Sequence, residues 1–257
     1  MSNIPSTVHY IWLGDKPISD FDKACMESVK ELHPAWEFKL HTDNSVFEAP
    51  ELSKVKDALY RVWNDCHKCN WNHSPLALQS DLLRLCLVYV YGGVYLDLDF
   101  FALKDLDPFL EEEVILAYVD SSRLVGEAVL GMRAKDRRLY DLIEQHSTNE
   151  PYPILEENKL SWNLNTNMSA WATYFSFEPF APAYFIPHTR TADPSTIYKA
   201  TNDTTLVHCW RQHTYDLDKL RALRGKSFRP EWWGEEDNTP VQVAEGGRPV
   251  GCYRSKG

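Results

Sequence analysis

The stretch "GGVYLDLDFF", residues 92–101, places two acids inside an apolar run. Because strand residues alternate between two faces, the pattern predicts a strand over Val94–Phe101 with Asp97 and Asp99 on the same face. Two like charges on one face raise each other's pKa, and burying them uncompensated is costly. A divalent cation such as Mg²⁺ or Mn²⁺ removes both problems, since hard cations bind carboxylate oxygens. The alternative is a strand that ends at Leu98 and leaves both acids solvated at its tip.

The segment before this strand predicts the clearest helix of the chain, over residues 76–91. Ser74 is a suitable N-cap, and Pro75 suits the first helical position. Gly92 and Gly93 predict the helix end, because glycine adopts the left-handed conformation of helix C-termini. The helix is apolar nearly all round, so we expect it to be buried.

Asp81 and Arg84 are the only charged residues in this segment, "PLALQSDLLRLCLVYVY". They lie three positions apart and share a helix face. One interpretation is a structural ion pair, which is weak evidence for stability because desolvation offsets much of the attraction. The other is a pair that opens onto a cleft, where Asp81 accepts a sugar hydroxyl and Arg84 meets a phosphate or sugar oxygen. The residues alone leave both interpretations open.

The start of the chain indicates an α/β fold. The segments "TVHYIWL" (7–13) and "WEFKLHTD" (36–43) have strand patterns, and Ser19–Leu32 between them has helical spacing. This β-α-β order predicts a parallel sheet. Further elements are predicted as a helical region at 45–63, strands at 114–119 and 129–133, and a helix over 137–147.

Composition limits the class of protein. The length of 257 residues predicts one domain, over 1–239, and a hydrophobic content of 44% suffices for its core. Gly246, Gly247, Pro249 and Gly251 predict a loosely held tail over 240–257. A formal net charge of -10 disfavours nucleic-acid binding. The sequence opens without a secretory signal pattern and contains no apolar run long enough for a transmembrane helix. We therefore expect a soluble protein of the bacterial cytoplasm or of a viral host cytosol.

Two separated segments resemble one glycosyltransferase family. "SDLLRLCLVYVYGGVYLDLDF" (80–100) is similar to the DXD region of the family that includes yeast mannosyltransferases and the glucosylating domains of large clostridial toxins. "IPSTVHYIWLGDKP" (4–17) resembles the first strand of the same family. The resemblance implies a GT-A fold, a Rossmann-like mixed sheet flanked by helices. It also implies metal-dependent transfer of a hexose from a nucleotide sugar, with retention of anomeric configuration.

The resemblance further implies roles for individual residues. The donor would be bound by Ile11, Trp12, Asp43, Asp81, Arg84 and Asp97, with Trp12 stacked on the base. Asp81, Arg84 and Asp97 would form the catalytic set, and Asp99 would ligate the metal directly beside Asp97. Taken alone, Trp12 would be interpreted as a core aromatic, and Asp43 as the cap of a helix.

A further metal ligand is expected near the C-terminus, in "TTLVHCWRQHTYD" (204–216). Related families place a histidine or acid there, and His208 fits the histidine. The Ser-Trp pair that commonly follows would fall on Gln212 and His213, which is a departure from the pattern. An imidazole ligand favours Mn²⁺ over Mg²⁺. The alternative is an ordinary strand histidine.

Further candidates concern the acceptor and a second type of metal site. Asn165, Glu127 and Trp210 are possible acceptor contacts, although the asparagines of "WNLNTNMS" (162–169) also suit a polar loop. The "CHKC" segment (66–69) has zinc-like spacing, but no second CxxC pair follows, so free thiols are expected.

The function predicted from the sequence is a glycosyltransferase, with a UDP-hexose such as UDP-glucose as donor and GDP-mannose as its competitor. The acceptor is a glycan, as in polysaccharide biosynthesis, or a protein side chain, as in the toxins. Two alternatives are a catalytically silent binding module on the same fold and a metal-dependent hydrolase or nucleotidyltransferase. The second would need a phosphate-cradling glycine loop or more clustered acids, and the sequence shows neither.

Overall fold

The structure, a computed structural model, describes residues 3–65, 75–119, 123–148, 164–185, 203–210 and 216–224. Within these ranges the strands are β1 (Thr7–Ile11), β2 (Glu37–His41), β3 (Gly93–Leu96), β4 (Phe100–Ala102), β5 (Val114–Ile115), β6 (Val129–Met132) and β7 (Leu206–His208). The helices are α1 (Asp20–Leu32), α2 (Lys56–Asp65), α3 (Pro75–Tyr91), α4 (Arg137–Thr148), α5 (Leu164–Tyr174), α6 (Pro182–Phe185) and α7 (Leu217–Leu223).

Five strands form a mixed sheet in the order β2-β1-β3-β6-β5. Strand β1 runs parallel to β2 and β3, whereas β6 is antiparallel to β3 and β5. The predicted β-α-β opening and its parallel pairing are therefore confirmed. Helix α1 begins at Asp20 because the Ser19 side chain caps it, accepting a hydrogen bond from the Asp22 backbone N–H.

The two faces of the sheet pack against different helices. One hydrophobic cluster joins α3 to Tyr95 and Leu130 of the sheet and to α2 and α4, and a second joins α1 to Val8 and Val94 on the opposite face. Helix α3 thus packs on two sides, which explains its apolar sequence. Among the described helices, none is both long and apolar enough to cross a bilayer.

The acidic segment departs from the prediction of one continuous strand. Strand β3 ends at Leu96, a turn carries Asp97 and Asp99, and the chain resumes as β4 at Phe100. The cause is a change of partner, because β4 leaves the five-stranded sheet and pairs antiparallel with β7. The prediction of a continuous strand over Val94–Phe101 is therefore wrong. The prediction that its apolar residues are buried is correct, because Leu98 within the turn still packs in the second cluster.

The region predicted as one helix at 45–63 is also different. Two short 3-10 segments, Ser45–Glu48 and Pro50–Leu52, precede α2. Pro50 has no N–H to continue a helix, and its ring disfavours helical geometry in the residue before it. The predicted cap Ser74, the "CHKC" segment and the tail over 240–257 lie outside the described residues.

Candidate active site

The pairing of β4 with β7 assembles the centre of the site. Phe100 lies opposite His208 in this pair, and the Cys209 backbone N–H donates to the Asp99 carbonyl at 2.9 Å. The turn after β3 and the end of β7 therefore meet at one point. Asp97, Asp99 and His208 each offer a ligand atom there, and these atoms lie within 4.8 Å of one another.

The three side chains form a compact polar cluster. His208 Nε2 lies 3.3 Å from Asp99 Oδ1 and 3.7 Å from Asp97 Oδ2. Asp99 and His208 are buried, whereas the Asp97 side chain is 27% exposed. Burial lowers the pKa of His208, but the neighbouring carboxylates outweigh this effect and raise it overall. The cluster thus attracts positive charge to a buried position.

This donor set fits a divalent cation. Two carboxylates and one imidazole are the mixed oxygen and nitrogen ligands that Mn²⁺ accepts, and three ligands leave positions open for substrate oxygens. The geometry brings together the three metal ligands that were predicted from the sequence. Their role as ligands stays a prediction.

Aromatic rings enclose the histidine. The Phe100 ring stacks on His208 with centroids 4.6 Å apart, and the Trp210 ring lies 4.2 Å away on a tilted plane. Trp210 has a left-handed backbone, with φ 54°. A bulky residue seldom adopts this conformation. It turns the chain sharply after His208, and Trp210 reaches the cavity described below.

Arg84 joins the helix α3 to the acidic turn. Its Nη2 lies 2.9 Å from Asp81 Oδ1, and its Nη1 donates to the Glu127 carbonyl at 2.7 Å. Nη1 also lies 3.5 Å from Asp97 Oδ1. Burial raises the pKa of Asp81 to about 6, although the Arg84 guanidinium lowers it. The two interpretations of the Asp81–Arg84 pair are thus not exclusive, since the buried Arg84 pairs with the half-buried Asp81 and also reaches the site.

Tyr95 is a site residue that the sequence reasoning missed. Its hydroxyl donates to Asp97 Oδ1 at 2.5 Å, and the Arg84 guanidinium lies over its ring, 4.6 Å from the centroid. A single side chain therefore orients both an acid and the arginine. Tyr95 and Asp97 lie two residues apart within the predicted strand, which would place them on one face, and this spacing was the signal that could have found Tyr95.

Glu127 adds a further carboxylate beside this cluster. Its Oε2 atom is buried and has no hydrogen-bond partner among the described residues. Burial, followed by the Asp81 charge, raises the pKa of Glu127 to about 7. A polar atom buried without a partner in the native fold is unusual. The position of Glu127 on the cavity wall makes a hydroxyl-bearing ligand a suitable partner.

A cavity of about 1030 Å³ opens beside these residues. One part of its wall is the end of β1 and the following loop, and another is the start of α3. The predicted residues on the wall are Ile11, Trp12, Arg84, Asp97, Asp99, Glu127, Asn165, His208 and Trp210. The Trp12 indole N–H donates to the Lys16 carbonyl at 2.6 Å, which fixes the loop that borders the cavity.

Two residues that were predicted to contact the donor are not part of the cavity wall formed by the described residues. Asp81 sits behind Arg84, and Asp43 accepts a hydrogen bond from the Ser45 backbone N–H at 2.9 Å. Asp43 thus stabilises the start of a 3-10 segment, the alternative considered for it. Of the polar loop, Asn167 contacts His146 rather than the cavity, and residue 163 lies outside the described ranges. Direct donor contacts by Asp81 and Asp43 stay predictions.

Comparison with known proteins agrees with this geometry. Residues 19–116 match a family described as "Glycosyltransferase sugar-binding region containing DXD motif". The chain is 28% identical over 119 residues to inositol phosphoceramide mannosyltransferase 1 of Schizosaccharomyces pombe, covering 45% of this chain and 34% of that protein. It is 30% identical over 107 residues to inositol phosphoceramide mannosyltransferase 3 of the same yeast, covering 42% and 27%. The chain thus spans well under half the length of these relatives.

A solved structure extends the similarity beyond the matched segment. The chain superposes on a structure titled "PaToxG Glycosyltransferase" with a TM-score of 0.52 and 15% identity, covering 67% of this chain and 69% of that one. The similarity confirms the predicted GT-A type α/β fold, and the matched family carries the DXD motif that was recognised in the sequence. Residues 19–116 therefore match a DXD-containing glycosyltransferase sugar-binding region, within a chain that has the GT-A type fold.

Proposed function

We propose that the chain is a metal-dependent, retaining glycosyltransferase that transfers a hexose from a nucleotide-sugar donor. The observation that carries this proposal is the convergence of Asp97, Asp99 and His208 within 4.8 Å beside a cavity large enough for a donor. The family match over residues 19–116 supports sugar transfer. We further propose a single catalytic domain over residues 1–239 with a tail over 240–257.

Asp97, Asp99 and His208 would hold the metal ion, with Mn²⁺ favoured over Mg²⁺ because of the imidazole. When bound, a divalent cation stabilises the charge that develops on a leaving diphosphate. Tyr95 holds Asp97 in place through its hydroxyl. Phe100 and Trp210 fix the imidazole plane of His208 from two sides.

The charges of the wall support a requirement for a cation. Among the described wall residues, the carboxylates are Asp15, Asp97, Asp99 and Glu127, and the cations are Lys16 and Arg84. A diphosphate would add more negative charge to an already acidic site. Because Arg84 is engaged with Asp81 and the Glu127 carbonyl, it neutralises this charge only in part.

Trp12 and Arg84, which both line the cavity beside the metal centre, would orient the donor. We propose that the Trp12 ring, with Ile11 beside it, stacks on the nucleotide base, since both line the cavity at the end of β1. Arg84 would direct its guanidinium toward sugar or phosphate oxygens. Asp81 would act mainly through its ion pair with Arg84.

The acceptor is proposed to approach the part of the wall formed by Glu127, Asn165 and Trp210. These side chains offer a carboxylate, an amide and an aromatic face, a combination that suits a glycan. A UDP-hexose, UDP-glucose first, remains the proposed donor. Both curated relatives are named mannosyltransferases, so GDP-mannose is the competing donor. A protein side chain is the alternative acceptor.

The test is release of free nucleotide from a panel of UDP- and GDP-sugars with Mn²⁺, with Mg²⁺ or with EDTA. Water serves as a slow acceptor in this assay, so the natural acceptor need not be known. We expect metal-dependent release from one donor, and NMR of the released sugar then gives the anomeric configuration. Donor binding without release, even with simple sugars added as acceptors, would favour the silent binding module instead.

A further inference from the structure

His9 lies at the centre of β1, is fully buried and uses both ring nitrogens. Its Nε2 lies 2.8 Å from the Gly92 carbonyl, and its Nδ1 lies 3.0 Å from His41 Nε2. A carbonyl only accepts hydrogen bonds, so Nε2 carries the proton. In the neutral ring Nδ1 is then the acceptor, and His41 donates to it. The tautomer of His9 is therefore fixed by the turn that it contacts.

The turn held by His9 is tight. Gly92 alone separates the last residue of α3 from the first residue of β3, and its N–H donates to the Val88 carbonyl at 2.9 Å. Gly92 and Gly93 have φ values of 68° and 95°. A Cβ on Gly93 would lie 2.6 Å from the Thr7 carbonyl. This junction has no room for another side chain, and a one-residue connection restricts movement of the helix relative to the strand.

The junction between α3 and β3 sets the position of Arg84 relative to Tyr95 and Asp97. Helix α3 carries Arg84, and β3 carries Tyr95 and leads directly into Asp97. Arg84 is roughly 12 Å along the helix from Gly92, at 1.5 Å per residue. A tilt of about 5° at the turn would therefore move it by about 1 Å, which is enough to cost up to about a hundredfold in rate.

His9 also connects this junction to the end of β1, which borders the cavity. It pairs with Tyr95 in the parallel ladder, and β1 continues to Ile11 and then to Trp12 at the cavity. Resting on the proposed function, we propose that His9 is a positioning residue. Its bond to Gly92 fixes the geometry among the β1 end, Arg84 and the acidic turn, so that base, sugar and metal contacts are set together.

The test uses His9→Leu, His9→Gln and a matched control, His146→Leu. His146 is also a buried histidine, bonded to Asn167 and not on the described cavity wall. Each variant is titrated with UDP and with GDP in the presence of Mn²⁺ and assayed for kcat and KM with the donor that the wild type uses, well below its melting temperature. We expect His9→Leu to lose about tenfold in kcat/KM, from misplacement of groups by less than 1 Å.

The other variants separate positioning from stability. His9→Gln places an amide N–H near the position of Nε2, so it is expected to recover to within about threefold of wild type. His146→Leu is expected to melt earlier but keep wild-type kcat/KM. Equal kcat/KM for wild type and His9→Leu would overturn the inference alone. Failure of the wild type to bind either UDP or GDP with Mn²⁺ would overturn the proposed function as well.

If His9→Leu does not fold, His9→Gln and His9→Asn decide the matter. Glutamine reaches the Gly92 carbonyl, whereas asparagine extends only to about the position of Nδ1. Higher kcat/KM for glutamine than for asparagine supports positioning through the Gly92 bond. Equal values for the two variants contradict it.

Discussion

Replacing Arg84 by lysine keeps the positive charge but removes the planar fork. The guanidinium contacts Asp81 at 2.9 Å and the Glu127 carbonyl at 2.7 Å with different nitrogens, and it stacks over Tyr95. Lysine is a point charge on a flexible stem, so it cannot reproduce both bonds and the stack. One buried acceptor left unsatisfied costs about 1–3 kcal/mol, and loss of the cation–π contact adds about 0.5–1 kcal/mol.

We therefore expect Arg84→Lys to lower the free energy of unfolding by about 1.5–4 kcal/mol. We also expect at least about a tenfold loss in donor kcat/KM, because the orientation of the site changes. Urea denaturation and steady-state kinetics on the same preparations measure both quantities. The control is Arg137→Lys on α4, whose side chain is 70% exposed and pairs with Asp141.

The control should lose no more than about 0.5 kcal/mol, as exposed helix pairs contribute little. The reasoning is refuted if Arg84→Lys matches Arg137→Lys in stability and wild type in kcat/KM. It would also be refuted if only stability fell, because Arg84 would then act as a core ion pair without a part in donor binding.

Three further predictions test separate parts of the molecule. Burial lowers the pKa of His146 from 6.5 to about 4, so the unfolded chain takes up a proton at a higher pH than the folded chain does. The free energy of unfolding should therefore fall as the pH drops through this range, by at most roughly 3 kcal/mol. His146→Gln should lack this pH-dependent component when urea titrations at pH 7 and pH 4.5 are compared. Trp12→Ala should weaken binding of UDP and UDP-hexose equally by calorimetry, and a sugar-selective loss would contradict base stacking. Gly93→Ala should lower thermal stability markedly, because its Cβ would meet the Thr7 carbonyl.

The sequence predicted those elements whose pattern is local. A strand-forming run ended by Gly14 identified β1, alternation identified β2, and an apolar run ended by glycines identified α3, because each signal lies within or beside the element itself. The break between β3 and β4 could not be predicted in this way. Apolar alternation continues through Leu98, and the partner that diverts the chain, β7, lies far along the sequence.

The candidate site shows the same division. Asp97, Asp99 and His208 were identified from motifs, yet their convergence depends on the pairing of Phe100 with His208. Tyr95 was predictable from its spacing to Asp97 but was overlooked. The contact of His9 with Gly92 depends on the packing of β1 against the end of α3 and leaves no pattern in a single sequence.

The central claim is that Asp99 holds a metal ion on which donor binding and turnover depend. The most direct measurement compares wild type, Asp99→Asn and the exposed control Asp20→Asn for UDP binding and donor turnover with Mn²⁺ and with EDTA. Asparagine preserves the shape of this buried residue, so the fold should remain intact by circular dichroism. We expect Asp99→Asn to lose metal-dependent binding and turnover and Asp20→Asn to keep both. Turnover by Asp99→Asn at the wild-type rate with Mn²⁺ would contradict it.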